Sequence, residues 1–266
     1  MKFQADREVL SDAVSFLVRL LSPRPQLPQL SGVMIEATKD EVVLSIFDYE
    51  VAARVKIAAA VEAPGKVLVQ ARLLSEIVSK LPASSVSLVI DETRLQVTSG
   101  SSKFSLSSMA TTDYPDTPEF PAATGKVSAS EFTNSVAKVA SAASREEVTP
   151  VLTAVMIQAD SKNLTMVATD RFRVAVKALP WTGKAIDRDV LIPARVLNEI
   201  AKTFSHEGDL ELAFGETEKE MIGFSSGNKT VSTATIKGKY PAVLQLFPED
   251  TENFAVLNNQ ELLNAT

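Results

Sequence analysis

The sequence contains no cysteine and only one histidine and one tryptophan among its 266 residues. Without cysteine, the chain cannot form a disulfide bond, a thiolate nucleophile or a cysteine-ligated zinc site. Long apolar runs are missing as well: residues 55–61 form one of the longest, and it is too short and too interrupted by charge to cross a bilayer. No apolar core follows Lys2 as it would in a signal peptide, so we expect a cytoplasmic protein with no membrane partner.

The sequence also lacks the motifs of common catalytic and cofactor sites. It has no glycine-rich phosphate loop, no nucleophile elbow and no cluster of metal ligands. The single histidine, His206, lies in a predicted surface loop without a second metal-type ligand nearby. The sequence therefore predicts no cofactor, no metal site and no enzyme activity.

What remains is the composition of an ordinary globular protein, with 45% apolar and 23% charged residues. The formal net charge of −6 argues against a protein that coats itself with nucleic acid, because phosphate binding needs clustered lysine and arginine. A net charge is a sum, however, and does not exclude a local basic surface.

The clearest feature of the sequence is an internal repeat. Residues 33–36 (VMIE) return as residues 155–158 (VMIQ), and residues 67–72 (VLVQAR) return as residues 190–195 (VLIPAR). Tyr-Pro followed by Phe-Pro closes both copies, at residues 114–121 and again at residues 240–248. The blocks keep their order while the offset drifts slowly, as small loop insertions would cause. We therefore predict a duplicated domain.

The repeat sets the predicted domain boundaries. One copy covers residues 1–122, a second covers residues 123–250, and residues 251–266 resemble the opening of a third. Within that last segment, residues 256–261 are similar to residues 3–8, and Leu262 and Leu263 stand where a helix would begin. On this prediction the chain is truncated shortly after the start of its third domain.

Each copy is expected to combine two helices with antiparallel strands. Apolar residues at three- and four-residue spacing predict helices near residues 9–21, 71–81, 129–143 and 194–204. Between them, β-branched and alternating runs such as residues 32–37, 42–47 and 51–57 predict strands. The fold class is therefore α+β, with mainly antiparallel sheet.

Several segments resemble the bacterial β sliding clamp family, the β subunits of DNA polymerase III. They are MKF at residues 1–3, RPQLP at 24–28, SKFSL at 102–106, ATDRFRVA at 168–175, PAR at 193–195 and Tyr240-Pro241. The resemblance covers the whole chain. It implies a DNA clamp fold, with two helices per domain on an inner face and antiparallel sheets on an outer face. It also implies a non-enzymatic ring subunit that encircles duplex DNA and tethers the replicative polymerase.

The same resemblance suggests which cations contact DNA. Sequence-independent binding depends on phosphate contacts, so the candidates are cations on or beside the predicted helices. At the position after Arg145, where some family members carry a polar DNA-contacting residue, this chain has Glu146, which weakens that position as a contact. The DNA-binding candidates are Arg7, Arg24, Arg72, Lys80, Lys138, Arg195 and Lys202.

The family also docks short linear peptides from the replicative DNA polymerase, the clamp loader and repair proteins in a pocket, and its full-length subunits form a homodimer. By resemblance, Phe104 and Leu106 would lie at the dimer interface. Aliphatic walls would hold apolar peptide anchors, and arginines would hold polar groups. The peptide-binding candidates are Leu152, Thr169, Arg171, Phe172, Arg173, Val174, Pro241 and Leu246.

Two alternative functions compete with a clamp. A hydrolase would use the repeated Asp48 and Asp170 as paired carboxylates, but equivalent positions in neighbouring copies should hold these groups too far apart. A two-domain β-rich module could instead bind protein or glycan without any DNA function, and duplication would then serve avidity.

Overall fold

The computed structural model describes residues 1–39, 41–82, 85–112, 114–146, 148–204, 208–215, 221–247 and 255–265. One order of elements occurs twice: a strand, a helix, five strands, a second helix and three strands. We call residues 2–109 unit one and residues 125–234 unit two. His206 lies outside the described residues, so its predicted surface position is not tested.

Unit one contains helices α1 and α2 and strands β1 to β9. The helices are α1 (Arg7–Leu20) and α2 (Ala71–Lys80). The strands are β1 (Lys2–Asp6), β2 (Gly32–Ala37), β3 (Val42–Phe47), β4 (Val51–Ile57), β5 (Ala60–Ala63), β6 (Gly65–Gln70), β7 (Ser85–Asp91), β8 (Arg94–Ser99) and β9 (Ser102–Met109).

Unit two repeats this set in the same order. Its helices are α3 (Ala129–Ala140) and α4 (Ala194–Thr203). Its strands are β10 (Gly125–Ser128), β11 (Ala154–Ala159), β12 (Asn163–Thr169), β13 (Val174–Pro180), β14 (Thr182–Gly183), β15 (Ile186–Pro193), β16 (Asp209–Phe214), β17 (Met221–Ser226) and β18 (Lys229–Ala234).

The strands of each unit form two antiparallel groups. In unit one the orders are β4-β3-β2-β6 and β9-β8-β7-β1-β5, and a short β6–β9 pairing links them. In unit two the corresponding orders are β13-β12-β11-β15 and β18-β17-β16-β10-β14. All recorded pairings are antiparallel, which confirms the predicted α+β class.

Helix α1 illustrates why these elements form. Leu10, Val14 and Leu17 recur at three- and four-residue spacing and are fully buried, so one face of the helix joins the core. The Asp6 carboxylate caps its start by accepting hydrogen bonds from the amides of Glu8 and Val9 at 2.8 and 3.1 Å. Helix α3 is capped in the same way by Ser128.

The two units join through both backbone and side chains. Strand β18 of unit two pairs with strand β4 of unit one, with Val231 opposite Ala53. Helix α1 contacts helix α4, where the Phe16 and Phe204 rings meet edge-on at 5.8 Å. Because α1 also packs on α2 and α3 on α4, the helices form one continuous layer in the order α2-α1-α4-α3.

The segment connecting the units is held against both of them. A guanidinium nitrogen of Arg54, on β4, donates a hydrogen bond to the carbonyl of Thr117 at 2.6 Å. Further along, the Phe120 ring lies over Gly223 of β17, so closely that a Cβ at Gly223 would be 2.5 Å from Phe120 Cε2. The connector is therefore part of the junction.

We expect Gly223→Ala to destabilise the protein by about 1–2 kcal/mol, because the added methyl group must displace the Phe120 ring. Urea unfolding measures the change. In a Phe120→Ala background the same Gly223 substitution should cost much less, since the obstructing ring is gone. Equal costs in both backgrounds would contradict the contact.

The last element is helix α5 (Asn259–Ala265), whose residues are all exposed. A helix was predicted to begin at Leu262 and Leu263; the structure confirms the helix but begins it three residues earlier, at Asn259. None of the described helices is long and apolar enough to cross a membrane.

Candidate functional site

The cations predicted to contact DNA belong to the helix layer and the turn after α1. Arg7 begins α1, is half-buried, and lies 3.3 Å from the carboxylate of Glu8, so much of its charge is already engaged. The other candidates are exposed: Arg24, Arg72, Lys80, Lys138, Arg195 and Lys202. Lys202 also pairs with Glu199 at 2.9 Å. The layer thus carries exposed positive charge despite the negative net charge.

The N-termini of helices α2 and α4 are suited to binding an anion. Gln70 and Pro193 occupy their cap positions, and neither helix start receives a side-chain cap hydrogen bond. Helix amides at such an end are free to bind a phosphate, and the helix dipole favours negative charge there. Arg72 and Arg195, each the second residue of its helix, add a full positive charge at equivalent places.

Arg195 also lines a groove of about 920 Å³ between the end of α3 and the start of α4. Arg145 lines the same groove, together with small residues such as Ala137 and Ser141. Glu50, from unit one, forms part of the wall. The structure therefore brings Arg145 and Arg195 together, although they are far apart in sequence.

A smaller cavity of about 180 Å³ gathers most of the predicted peptide-binding residues. It is lined mainly by aliphatic side chains, and its volume is below that of a typical drug-sized pocket, so it can accept one or two apolar side chains. The predicted residues that line it are Leu152, Thr169, Arg171, Val174, Pro241 and Leu246.

The hairpin between β12 and β13 builds one wall of this cavity. The Asp170 carboxylate accepts hydrogen bonds from the amides of Phe172 and Arg173 at 3.1 and 3.0 Å, which closes the turn. Partial desolvation raises the pKa of Asp170, but the hydrogen bonds from Arg173 and Phe172 outweigh it, so the pKa is lowered overall. Arg171 adopts the left-handed backbone conformation with φ of 81°, which a non-glycine residue adopts at some cost.

That turn decides where its side chains point. Phe172 is 97% exposed at the tip, and Arg173 pairs with Asp170 at 2.9 Å, so neither lines the cavity. Arg171 turns inward and its guanidinium donates a hydrogen bond to the hydroxyl of Thr149 at 3.0 Å. Phe172 and Arg173 remain candidates only for contacts around the rim.

Sequence reasoning missed three residues of the cavity, namely Thr149, Val151 and Val243. Thr149 lies just before the 3-10 helix Pro150–Thr153 and Val151 lies within it, whereas Val243 begins the 3-10 helix Val243–Leu246. The sequence held two signals of the first of these helices. A proline opens it, and the repeat places it at the position of the 3-10 helix Pro28–Ser31.

Unit one carries aromatic residues at the corresponding positions. Phe47 stands where unit two has Thr169, and Tyr49 stands where it has Arg171. These two rings contact each other at 5.5 Å, and Tyr49 shares the left-handed backbone with φ of 72°. The backbone of the hairpin is therefore repeated, whereas Thr169 and Arg171, which line the cavity of unit two, are replaced by aromatic residues in unit one.

The residues predicted at the dimer interface lie on β9 and differ in exposure. Phe104 is 41% exposed, whereas Leu106 is 2% exposed and packs in the core of its own unit. By the repeat, Phe104 corresponds to Val231 of β18, which is fully buried beside β4. The stretch of β9 around Phe104 therefore resembles the stretch of β18 that pairs with β4, but it is exposed where the β18 stretch is buried.

The carboxylates of Asp48 and Asp170 each stabilise a turn, which argues against their acting together as a catalytic pair. The Asp48 carboxylate accepts hydrogen bonds from the amides of Glu50 and Val51 at 3.1 and 2.8 Å, as Asp170 does in unit two. Each carboxylate thus closes the turn of its own hairpin. Within the described ranges, no group of three or more histidine or acidic residues could hold a metal ion.

Comparisons with known proteins agree with this architecture. The family model of the DNA polymerase III beta subunit N-terminal domain matches residues 1–118, and that of the central domain matches residues 126–242. The beta sliding clamp of Micrococcus luteus is 42% identical over 268 residues, covering 100% of this chain and 86% of that protein. The beta sliding clamp of Streptomyces coelicolor is 36% identical and is covered over 72% of its length.

Solved structures lead to the same assignment. The DNA polymerase sliding clamp of Bacillus subtilis superimposes with a TM-score of 0.91 at 26% identity, covering 100% of this chain and 72% of that one. The fold is therefore the DNA clamp fold, a repeated α+β domain with its helices in one layer and its sheets behind them. The chain belongs to the β sliding clamp family, the β subunits of DNA polymerase III, and its function is that of a DNA sliding clamp.

Proposed function

We propose that the chain acts without enzymatic activity, as a ring subunit whose helix layer faces duplex DNA. The observation that carries the proposal is the single layer α2-α1-α4-α3, which presents exposed cations and two helix starts without side-chain caps. Contacts from a few long cations to phosphates would hold DNA without reading its sequence, as sliding requires. The cations are those predicted from the sequence, with Arg7 the weakest because it is half-buried.

We further propose the domain organisation read from the repeat. Clamp domain one would cover residues 1–122, clamp domain two residues 123–250, and residues 251–266 would open a third. The matches of the two family models to residues 1–118 and 126–242 support the first boundary. In the full-length subunit, a homodimer would form through the exposed stretch of β9 near Phe104, with Leu106 supporting that stretch from the core.

We also propose the cavity of unit two as the docking site for short peptides of the replicative polymerase, the clamp loader and repair proteins in the cytoplasm. Its aliphatic lining suits an apolar anchor, and Arg171 suits a polar group beside that anchor. The presence of Phe47 and Tyr49 at the equivalent place in unit one supports a specialised role for unit two.

The DNA-facing proposal is tested by neutralising two cations of the helix layer and one of the turn after α1, in the combined variant Arg24→Gln, Arg72→Gln and Arg195→Gln. Binding to a labelled short duplex is followed by fluorescence anisotropy over a range of salt concentrations. We expect the affinity at low salt to fall by roughly tenfold or more, because each lost phosphate contact lowers the slope of log affinity against log salt by about 0.9.

A matched control removes three exposed cations that lie on strands, Lys66, Arg94 and Lys177, by the same change to glutamine. This control should keep most of the affinity and the slope. Equal losses in both triple variants, or no loss in either, would count against a DNA-facing helix layer and favour a binding module for another ligand.

A further inference from the structure

The cavity of unit two is assembled from three segments that are distant in sequence. Thr149, Val151 and Leu152 form one wall, Thr169, Arg171 and Val174 form the second, and the third comes from residues 241–246. A peptide anchor fits only if these walls keep a fixed spacing, so binding depends on whatever holds the segments together before the peptide arrives.

Tyr240 connects two of these walls. Its hydroxyl accepts a hydrogen bond from the backbone amide of Thr169 at 3.0 Å, and Pro241 follows directly in the chain. The tyrosine is 4% exposed, and its ring packs in a small apolar cluster with Met156, Leu191 and Val243. The hydrogen bond is therefore shielded from water and joins the hairpin to the segment that carries the third wall.

Fixing Thr169 fixes the rest of the hairpin. The Thr169 hydroxyl accepts a hydrogen bond from the amide of Arg171 at 3.1 Å and donates one to the carbonyl of Arg173 at 2.8 Å. The left-handed turn that points Arg171 into the cavity is thus held in place by Thr169, which Tyr240 holds in turn.

We propose that Tyr240 is a positioning residue of the peptide pocket: its hydroxyl sets the spacing between the hairpin wall and the wall at residues 241–246. Tyr240 does not line the cavity, so it acts on a ligand through Thr169 and Pro241. This inference rests on the proposed peptide-docking function of the cavity.

Unit one offers a matched control for this role. The Tyr114 hydroxyl accepts a hydrogen bond from the amide of Phe47 at 2.9 Å, and Pro115 follows it, so the same connection occurs in both units. Burial raises the pKa of Tyr114 to about 12, and burial also raises the pKa of Tyr240, so both hydroxyls stay protonated in ordinary buffers. The bond in unit one lies beside Phe47 and Tyr49, whereas the bond in unit two lies beside Thr169 and Arg171, which line the proposed pocket, so the first serves as a structural reference for the second.

The test compares Tyr240→Phe with Tyr114→Phe in the full chain. Each change removes one hydroxyl and leaves one backbone amide without its acceptor, a buried amide at Thr169 and a partly buried one at Phe47. The probe is a capped hexapeptide with leucine at its third and fifth positions and serine elsewhere, with an all-serine peptide as the negative control. Its dissociation constant is measured by titration in NMR spectra, and unfolding midpoints in urea are measured for both variants.

We expect both variants to lose stability to a similar extent, whereas only Tyr240→Phe weakens binding of the leucine peptide, by about tenfold. Equal dissociation constants for wild type and both variants would overturn the positioning role while leaving the pocket intact. Failure of the leucine peptide to bind the wild-type chain better than the all-serine peptide would instead overturn the docking function itself, and the positioning role with it.

A measurement on the wild-type chain covers the case in which Tyr240→Phe does not fold. Amide hydrogen exchange is recorded with and without the leucine peptide. Binding should slow exchange of the Thr169 amide and leave the Phe47 amide unchanged, because only the first bond joins walls of the pocket. Equal changes at both amides would overturn the proposal.

Discussion

Replacing Gly125 with valine is expected to lower the free energy of unfolding by about 3 kcal/mol, at the upper end of the usual cost of overpacking a core. Gly125 of β10 stands opposite Gly183 of β14, and a Cβ at Gly125 would lie 2.4 Å from Trp181 Cζ2 and 2.6 Å from the Gly183 Cα. Neither neighbour can move easily, since one is backbone and the other is a buried ring.

Trp181 is held in place by several contacts. It is 4% exposed, its indole nitrogen donates a hydrogen bond to the carbonyl of Lys184 at 3.1 Å, and its ring meets that of Phe214 edge-on at 6.1 Å. A displaced Trp181 would lose these interactions as well as the packing over Gly125. The destabilisation should therefore centre on unit two.

Urea unfolding followed by tryptophan fluorescence measures this effect, because Trp181 is the single tryptophan of the chain. The control is Gly227→Asn, at a turn with φ of 60° and no atom within 4 Å of an added Cβ. Asparagine tolerates that conformation, so the control should remain within about 1 kcal/mol of wild type. A similar result for Gly125→Val would contradict the close approach of the two glycines.

The second large effect is expected at the junction between the units. Val231 of β18 is fully buried opposite Ala53 of β4, so Val231→Asp places a carboxylate where no water reaches it. Burying an uncompensated charge or forcing the strands apart should cost at least about 3 kcal/mol. We expect Val231→Asp to unfold much of the protein at room temperature or to separate β18 from β4.

The repeat supplies the control for this substitution. Phe104 occupies the equivalent position on β9 and is 41% exposed, so Phe104→Asp should cost about 1 kcal/mol or less. Thermal unfolding monitored by circular dichroism compares the two variants directly. If they proved equally destabilising, the difference in burial between the two equivalent strands would have to be rejected.

The repeat made most of the fold predictable from sequence. The helix periods near residues 9–21 and 194–204 correspond to α1 and α4, and the strand runs at residues 32–37, 42–47 and 51–57 match β2, β3 and β4. Strands β5 and β14 were missed, because two to four residues carry too little alternation to distinguish a strand from a connector.

The pocket was predictable in part, and the reason lies in its backbone. The aliphatic residues Leu152, Val174 and Leu246 could be assigned by family resemblance, and the structure places them around one cavity. The direction of side chains at the hairpin tip could not be assigned, because it depends on the left-handed turn at Arg171, which sends Phe172 outward. Val151 and Val243 were missed since short 3-10 helices leave no periodic signal.

The pairing of β18 with β4 has a mechanical consequence. Backbone hydrogen bonds are short and directional, so a joint made from a row of them resists bending more than one that relies on side-chain packing alone. Helices α1 and α4 reinforce the same joint from the other side of the core. A force applied across the two units would therefore leave them rigid relative to each other, and the deformation would concentrate at contacts formed elsewhere.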